Sequence, residues 1–128
     1  MKDKYVLDSN IWIEIERKNS KVLERVEPLL QGNQVCLIDV IIAEVLRGTR
    51  THKDFKTLQA VFDDFPVLTT SWNSVSELAF LVARKGFNPP LIDLYIAQAV
   101  RENKKILITG DSDFTQIAKV KPFFLEML

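Results

Sequence analysis

Short, wholly apolar runs separated by longer amphipathic stretches constrain this chain more than any other feature. Tyr5-Val6-Leu7, Val35-Cys36-Leu37-Ile38 and Lys105-Ile106-Leu107-Ile108-Thr109 lack the apolar–polar alternation of a half-exposed strand. Tyr5-Val6-Leu7 reads instead as a strand covered on both faces, and the other two as further strands. Between them lie segments with apolar residues at helical spacing. Strands that alternate with helices imply a parallel sheet with helices on both sides, because each parallel connection must cross over the sheet. Right-handed crossovers leave only a few layouts. The fold class expected is therefore α/β, a three-layer sandwich.

The helical segments can be placed in order. Ile11 to Arg17 is a short helix entered through Ser9 and Asn10, both good N-cap residues, and broken at Asn19-Ser20. Lys21 to Gln31 follows and stops at Gly32-Asn33. Asp39 is placed to cap a helix that runs to Arg47 and ends at Gly48. Lys53 to Phe65 is the next helix, ended by Pro66, and Val67-Leu68 is a very short strand. Ser71 to Lys85 is helical up to Gly86, and Phe87-Asn88-Pro89-Pro90 is a break within the fold. Leu91 to Glu102 is helical. Gly110 to Asp113 is a turn into a helix ending near Ile117, and Pro122 to Leu125 is a terminal strand. With 128 residues and no internal repeat, the chain is read as a single domain over 1–128.

Composition narrows the chemistry. Seventeen basic residues balance 17 acidic ones, so the overall charge lacks the footprint of a non-specific nucleic-acid binder, although a local basic rim can still steer one. A net charge near zero favours association. The single cysteine, Cys36, lies inside an apolar strand and reads as an inert thiol. One Cys and one His, the latter in a polar helix start at His52, cannot build a zinc site of the usual kind. His52 has no nucleophile beside it, and no glycine-rich phosphate loop is present. No apolar run approaches membrane-spanning length, and the first strand begins directly after Met1-Lys2-Asp3-Lys4, which predicts a cytoplasmic protein.

The acids divide into two groups. Glu14, Glu16, Glu24, Glu27, Glu102 and Glu126 lie in polar or amphipathic surroundings and read as solvated. Asp8, Glu44, Asp93, Asp111 and Asp113 do not. Asp8 and Asp111 directly follow strands, where open α/β sheets place their ligand crevice. Taken alone, Asp8 is as readily a helix cap as a site residue, and Asp111 and Asp113 are turn residues. Glu44 shares part of an apolar helix face with Val40 and Ile41. Asp93 lies on the apolar stripe of Ile96, Ala97 and Val100, where an unpaired carboxylate is costly to bury. Together the acids change meaning, because several carboxylates at one sheet edge repel unless a cation sits among them. An all-oxygen set selects Mg²⁺ or Mn²⁺.

Four stretches carry a family resemblance: Leu7-Asp8-Ser9-Asn10, Glu44-Val45-Leu46-Arg47-Gly48, Asp93-Leu94-Tyr95-Ile96-Ala97 and Thr109-Gly110-Asp111-Ser112-Asp113-Phe114. In order, spacing and total length they resemble the acid motifs of the PIN domain, and within it the VapC-type toxins of toxin–antitoxin modules. Val45 stands where that family more often has leucine. The resemblance implies a parallel sheet of about five strands and a Mg²⁺- or Mn²⁺-dependent ribonuclease, usually inhibited by a cognate antitoxin and often homodimeric. It places Asp8, Glu44, Asp93 and Asp111 on the acidic ligand positions, with Asp113 assisting or replacing Asp111. Asn10 and Thr109 fall on positions that orient the acids through hydrogen bonds, and Arg47 is a candidate RNA contact. A PIN-like nuclease of RNA processing that is not a toxin shares these motifs. A phosphoacceptor receiver domain is a poorer alternative, since Asp8 has no acidic neighbour and the late strand ends at Thr109 instead of lysine.

Overall fold

The computed structural model describes residues 3–128. Five strands, β1 (Tyr5–Leu7), β2 (Val35–Ile38), β3 (Val67–Leu68), β4 (Ile106–Thr109) and β5 (Phe124–Met127), form one sheet in the order β3-β2-β1-β4-β5. All neighbouring pairs are parallel. Seven helices flank it: α1 (Ser9–Glu16), α2 (Ser20–Gln31), α3 (Asp39–Arg47), α4 (His52–Phe62), α5 (Trp72–Arg84), α6 (Leu91–Glu102) and α7 (Asp113–Val120). This is the α/β sandwich anticipated from the alternation of runs.

The chain steps outward from β1 to β2 and β3, then returns across the sheet to β4 and β5. With right-handed crossovers, that reversal assigns α1–α4 to one face and α5–α7 to the other. The packing largely follows the same division, with α1 against α2 and α3, and α6 against α5 and α7, and α3 meets α6 where the Tyr95 hydroxyl bonds Asp39. Val6, Leu7, Leu37, Ile38, Leu107 and Ile108 are at most 1% exposed, so the three inner strands are covered on both faces. Helix α6 is the most deeply embedded, with every residue from Leu94 to Val100 buried.

The direction of the chain reverses between β1 and β4, and this has a geometric consequence. Adjacent parallel strands whose following connections leave to opposite faces open a crevice at their carboxyl ends. Asp8 and Thr109 stand at the mouth of that crevice.

Several local expectations needed correction. The N-cap of α1 is Asp8 and not Ser9 or Asn10: Asp8 is extended (φ −66°, ψ 162°) and its carboxylate accepts from the Ser9 N–H at 2.8 Å. Asp39 is the first residue of α3, with Ile38 at the cap position, yet its carboxylate still accepts from the Val40 N–H at 2.9 Å. Helix α4 ends at Phe62, three residues earlier than its apolar stripe suggests. Asp64 and Phe65 bond back only three residues, to Val61 and Phe62. Pro66 restricts the residue before it to extended backbone, which favours this tight turn. Trp12 pins the turn edge-on against Phe62 and Phe65.

Helix α7 runs on to Val120, and β5 begins two residues later than Pro122. Proline lacks an N–H for the ladder. The register is fixed instead by pairs from Ile106↔Phe124 to Thr109↔Met127, and by the Leu128 N–H bonded to the Thr109 carbonyl. Glu126 is not merely solvated, because it receives two hydrogen bonds from Arg25 at 2.6 and 2.9 Å, joining α2 to β5. Cys36 is fully buried, and burial pushes its thiol up to about 11.

Candidate metal centre at the carboxyl edge

Asp8 leaves β1 in an environment that few carboxylates occupy. It is 4% exposed. Its Oδ1 accepts from the Ser9 N–H, while Oδ2 accepts from the Thr109 hydroxyl at 2.7 Å and from Asn10 Nδ2 at 3.4 Å. Thr109, fully buried at the end of β4, also accepts from the Asp111 N–H at 3.0 Å. Asn10 closes the set by accepting from the Gly110 N–H at 3.2 Å. Two strand ends that are distant in sequence are thus tied by a small network in which Thr109 both donates to Asp8 and accepts from Asp111.

Asp111 accepts from the Asp113 N–H at 2.9 Å, which turns the backbone into α7 and presents both carboxylates on one side. The first turn of α6 brings Asp93 to the same place. Oxygens from Asp93, Asp111 and Asp113 all lie within 4.8 Å of one another. Asp8 adjoins this trio through Thr109. Glu44 approaches from α3, close enough to Asp8 and Ser9 for both to act on its carboxyl.

The electrostatics reflect this crowding. Burial, then the charges of Asp111, Asp8, Glu44 and Asp113, push the Asp93 carboxyl up to about 7. Burial also raises Asp8, with Asp111 adding to the shift and the Thr109 and Ser9 hydrogen bonds opposing it. Glu44 is raised by burial and by Asp8, against the Ser9 hydrogen bond and the Arg47 charge. Among the described residues the ion pairs are Arg17–Glu14, Arg25–Glu126 and Lys105–Asp3, so no lysine or arginine forms an ion pair with the cluster, and Arg47 acts on Glu44 only through its charge. Carboxylate oxygens this close, without an ion-pair partner, are of the kind that suits a hard divalent cation.

The structure therefore brings together Asp8, Glu44, Asp93, Asp111 and Asp113, with Asn10 and Thr109 bonded among them. Arg47 is exposed and one turn beyond Glu44, at the rim. His52 is exposed on α4 and takes no part. Asp39 lies on the same edge and accepts from the Tyr95 hydroxyl at 3.0 Å. Two contacts had no signal in the sequence. Ser9 was legible only as a helix cap, and Tyr95 only as a residue within the Asp93 motif.

The strand order also bears on the receiver-type alternative. That fold runs 2-1-3-4-5, whereas here β4 stands directly beside β1. No described helix is long and apolar enough to cross a membrane.

The same architecture occurs in solved structures. VapBC2 from Rickettsia felis, bound to a DNA fragment from their promoter, aligns with 97% of this chain and 98% of its own, at 20% identity and a TM-score of 0.78. DNA-bound VapBC from Salmonella typhimurium aligns over 97% of both chains at 18% identity and a TM-score of 0.75. A toxin–antitoxin complex from Klebsiella pneumoniae aligns over 94% of this chain and 98% of its own, at 19% identity and a TM-score of 0.69. At such identities the likeness speaks to the fold. No curated protein matches the sequence significantly. The sequence model of the PIN domain matches residues 5–120, and the chain belongs to the PIN domain family.

Proposed function

We propose that the protein is a Mg²⁺- or Mn²⁺-dependent endoribonuclease, the toxin of a toxin–antitoxin pair, with residues 1–128 acting as one PIN unit. The observation that carries the reading is the convergence of Asp93, Asp111 and Asp113 within 4.8 Å with no basic partner, beside the buried Asp8. Asp8, Glu44, Asp93, Asp111 and Asp113 hold the cation. A divalent ion bound there supplies charge neutralisation for a phosphodiester and lowers the pKa of water.

The residues divide the remaining work. Thr109 and Asn10 fix the Asp8 carboxylate at the crevice through hydrogen bonds to Oδ2, and the Thr109 bond to the Asp111 N–H sets the neighbouring turn. Asp93 on α6 and Glu44 on α3, which face the crevice from two sides, are placed to accept the proton of the attacking water. Water adds to phosphorus and its proton passes to the carboxylate, while the P–O bond on the opposite side breaks and the leaving oxygen takes up a proton from solvent. Arg47 at the rim contacts the RNA backbone.

The partners follow from the family and the surface. The Klebsiella pneumoniae structure of the same fold is a toxin–antitoxin complex, and we assign this chain an antitoxin that restrains it in the cytoplasm. A small gene directly upstream distinguishes a toxin from an RNA-processing nuclease with the same acids. The apolar residues Phe80 and Leu81, 56% and 39% exposed on α5, together with zero net charge, support a homodimer. Incubating purified protein with total RNA, with Mn²⁺ or with excess EDTA, tests the activity. Cleavage only in the presence of the metal is expected, and cleavage that survives EDTA contradicts the reading.

A further inference from the structure

Trp72 opens α5, four residues beyond the end of β3. Because the sheet is wholly parallel, this places it on the same edge as Asp8, Asp93 and Asp111. Its side chain is 52% exposed, while the other tryptophan, Trp12, is 7% exposed in the core. A lone exposed apolar residue needs no explanation. Trp72 differs in what stands behind it.

The indole lies against the Tyr95 ring, with centroids 5.0 Å apart and planes inclined at 47°. Tyr95 is 3% exposed. Its hydroxyl donates to Asp39 at 3.0 Å and accepts from the Thr70 N–H at 3.2 Å. The exposed ring is therefore seated on a buried ring that α3, α6 and the β3–α5 link all hold. Tyr95 stands two residues from Asp93 on the same helix. Neighbouring strands lie about 4.8 Å apart, so the ends of β3 and β1 are separated by roughly 10 Å. A short stretch of single strand covers that distance.

Charge sharpens the case. The chain is neutral overall, so it lacks the broad basic surface that holds a polyanion by phosphate attraction alone. Stacking offers affinity without charge, because every base has a π-face.

We propose that Trp72 is a stacking platform for one base of a single-stranded RNA whose scissile phosphate lies at the acid cluster, with Tyr95 and Asp39 as its positioning residues. The proposal rests on the nuclease reading of that cluster.

The test compares wild type, Trp72→Ala and Trp72→Phe on a fluorogenic single-stranded oligoribonucleotide with Mn²⁺, each checked by circular dichroism. Trp72→Ala raises KM by at least about fivefold, the low end for one base stack, with kcat unchanged. Trp72→Phe falls between. In the Asp8→Asn background, the oligonucleotide quenches tryptophan emission, and Trp72→Ala removes that quenching. Cleavage by wild type with the same KM in Trp72→Ala overturns the platform and leaves the nuclease reading standing. Emission that ignores the oligonucleotide but shifts on dilution also overturns it, and assigns the indole to a second copy of the chain. Failure of wild type to cleave removes the nuclease reading, and the quenching arm then decides the platform by itself.

Discussion

The Thr109 hydroxyl donates to Asp8 Oδ2 at 2.7 Å across 101 residues of sequence, and both groups are almost wholly shielded from solvent. This bond joins β1 to β4 where the chain changes direction, and it holds one member of the acid cluster in place. Its partners make it costly to lose, because Thr109 also accepts from the Asp111 N–H.

Thr109→Val keeps the shape and removes the hydroxyl, leaving Asp8 one hydrogen bond short and the Asp111 N–H without its acceptor. An unsatisfied buried group costs about 1–3 kcal/mol, and the melting temperature falls accordingly. RNA cleavage falls with it, whereas Thr109→Ser retains most of both. Equal melting temperatures for Thr109→Val and wild type would show that the network contributes nothing.

Asp93 makes the metal-free protein sensitive to pH. Its carboxyl titrates at about 7 when folded, against the ordinary 3.8, so the folded state binds the proton more tightly. Its stabilising effect is complete below the unfolded value and is lost as the pH rises through about 7. The apo protein is therefore less stable at pH 7.5 than at pH 5. Asp93→Asn flattens that slope and raises stability at pH 7.5 by roughly 1–2 kcal/mol, discounted for partial solvent screening. Chemical denaturation in EDTA at several pH values measures it, and a slope of the opposite sign rejects the electrostatic account.

Adding Mn²⁺ reverses the penalty. Binding to the folded state alone stabilises by about 2.7 kcal/mol at a hundred times the dissociation constant. The shift in melting temperature is larger at pH 7.5 than at pH 5.5, since ligands must ionise before they bind. It disappears in Asp111→Asn. A metal-induced shift that is equal in Asp111→Asn and wild type places the ion elsewhere.

The Arg25–Glu126 pair offers a contrast. It is bidentate, but its side chains are 36% and 32% exposed. Glu126→Gln therefore costs less than about 1 kcal/mol and leaves cleavage of RNA intact. Loss of activity in this variant would tie the β5 edge to the site.

The parts of this fold that were legible in the sequence are those governed by local rules. Tyr5-Val6-Leu7 and Ile106-Leu107-Ile108 announce covered strands by having no polar face, and an acid after each marks the carboxyl edge. Asp93 stands out because it interrupts an apolar helical stripe. Long-range choices were not legible. Phe123, Phe124 and Leu125 form one apolar run, and only pairing with β4 selects Phe124 as the start of the strand. Glu126 looks like any surface acid until Arg25, 101 residues away, is placed beside it. Asp8 could be read as a cap or as a site residue, and the structure shows both environments at once, with one carboxylate oxygen on the Ser9 N–H and the other in the Thr109 network. Whether Asp111 or Asp113 joins Asp93 depended on the shape of one turn, and that turn brings both.

Cleavage of RNA by wild type, Asp8→Asn and Asp93→Asn in Mn²⁺, with each variant shown to be folded by circular dichroism, tests the central claim most directly. Both substitutions preserve size and remove one charge from the cluster. Cleavage by wild type and its abolition in both folded variants is the outcome predicted. Undiminished cleavage by folded Asp8→Asn contradicts the assignment of this carboxyl edge as the active centre.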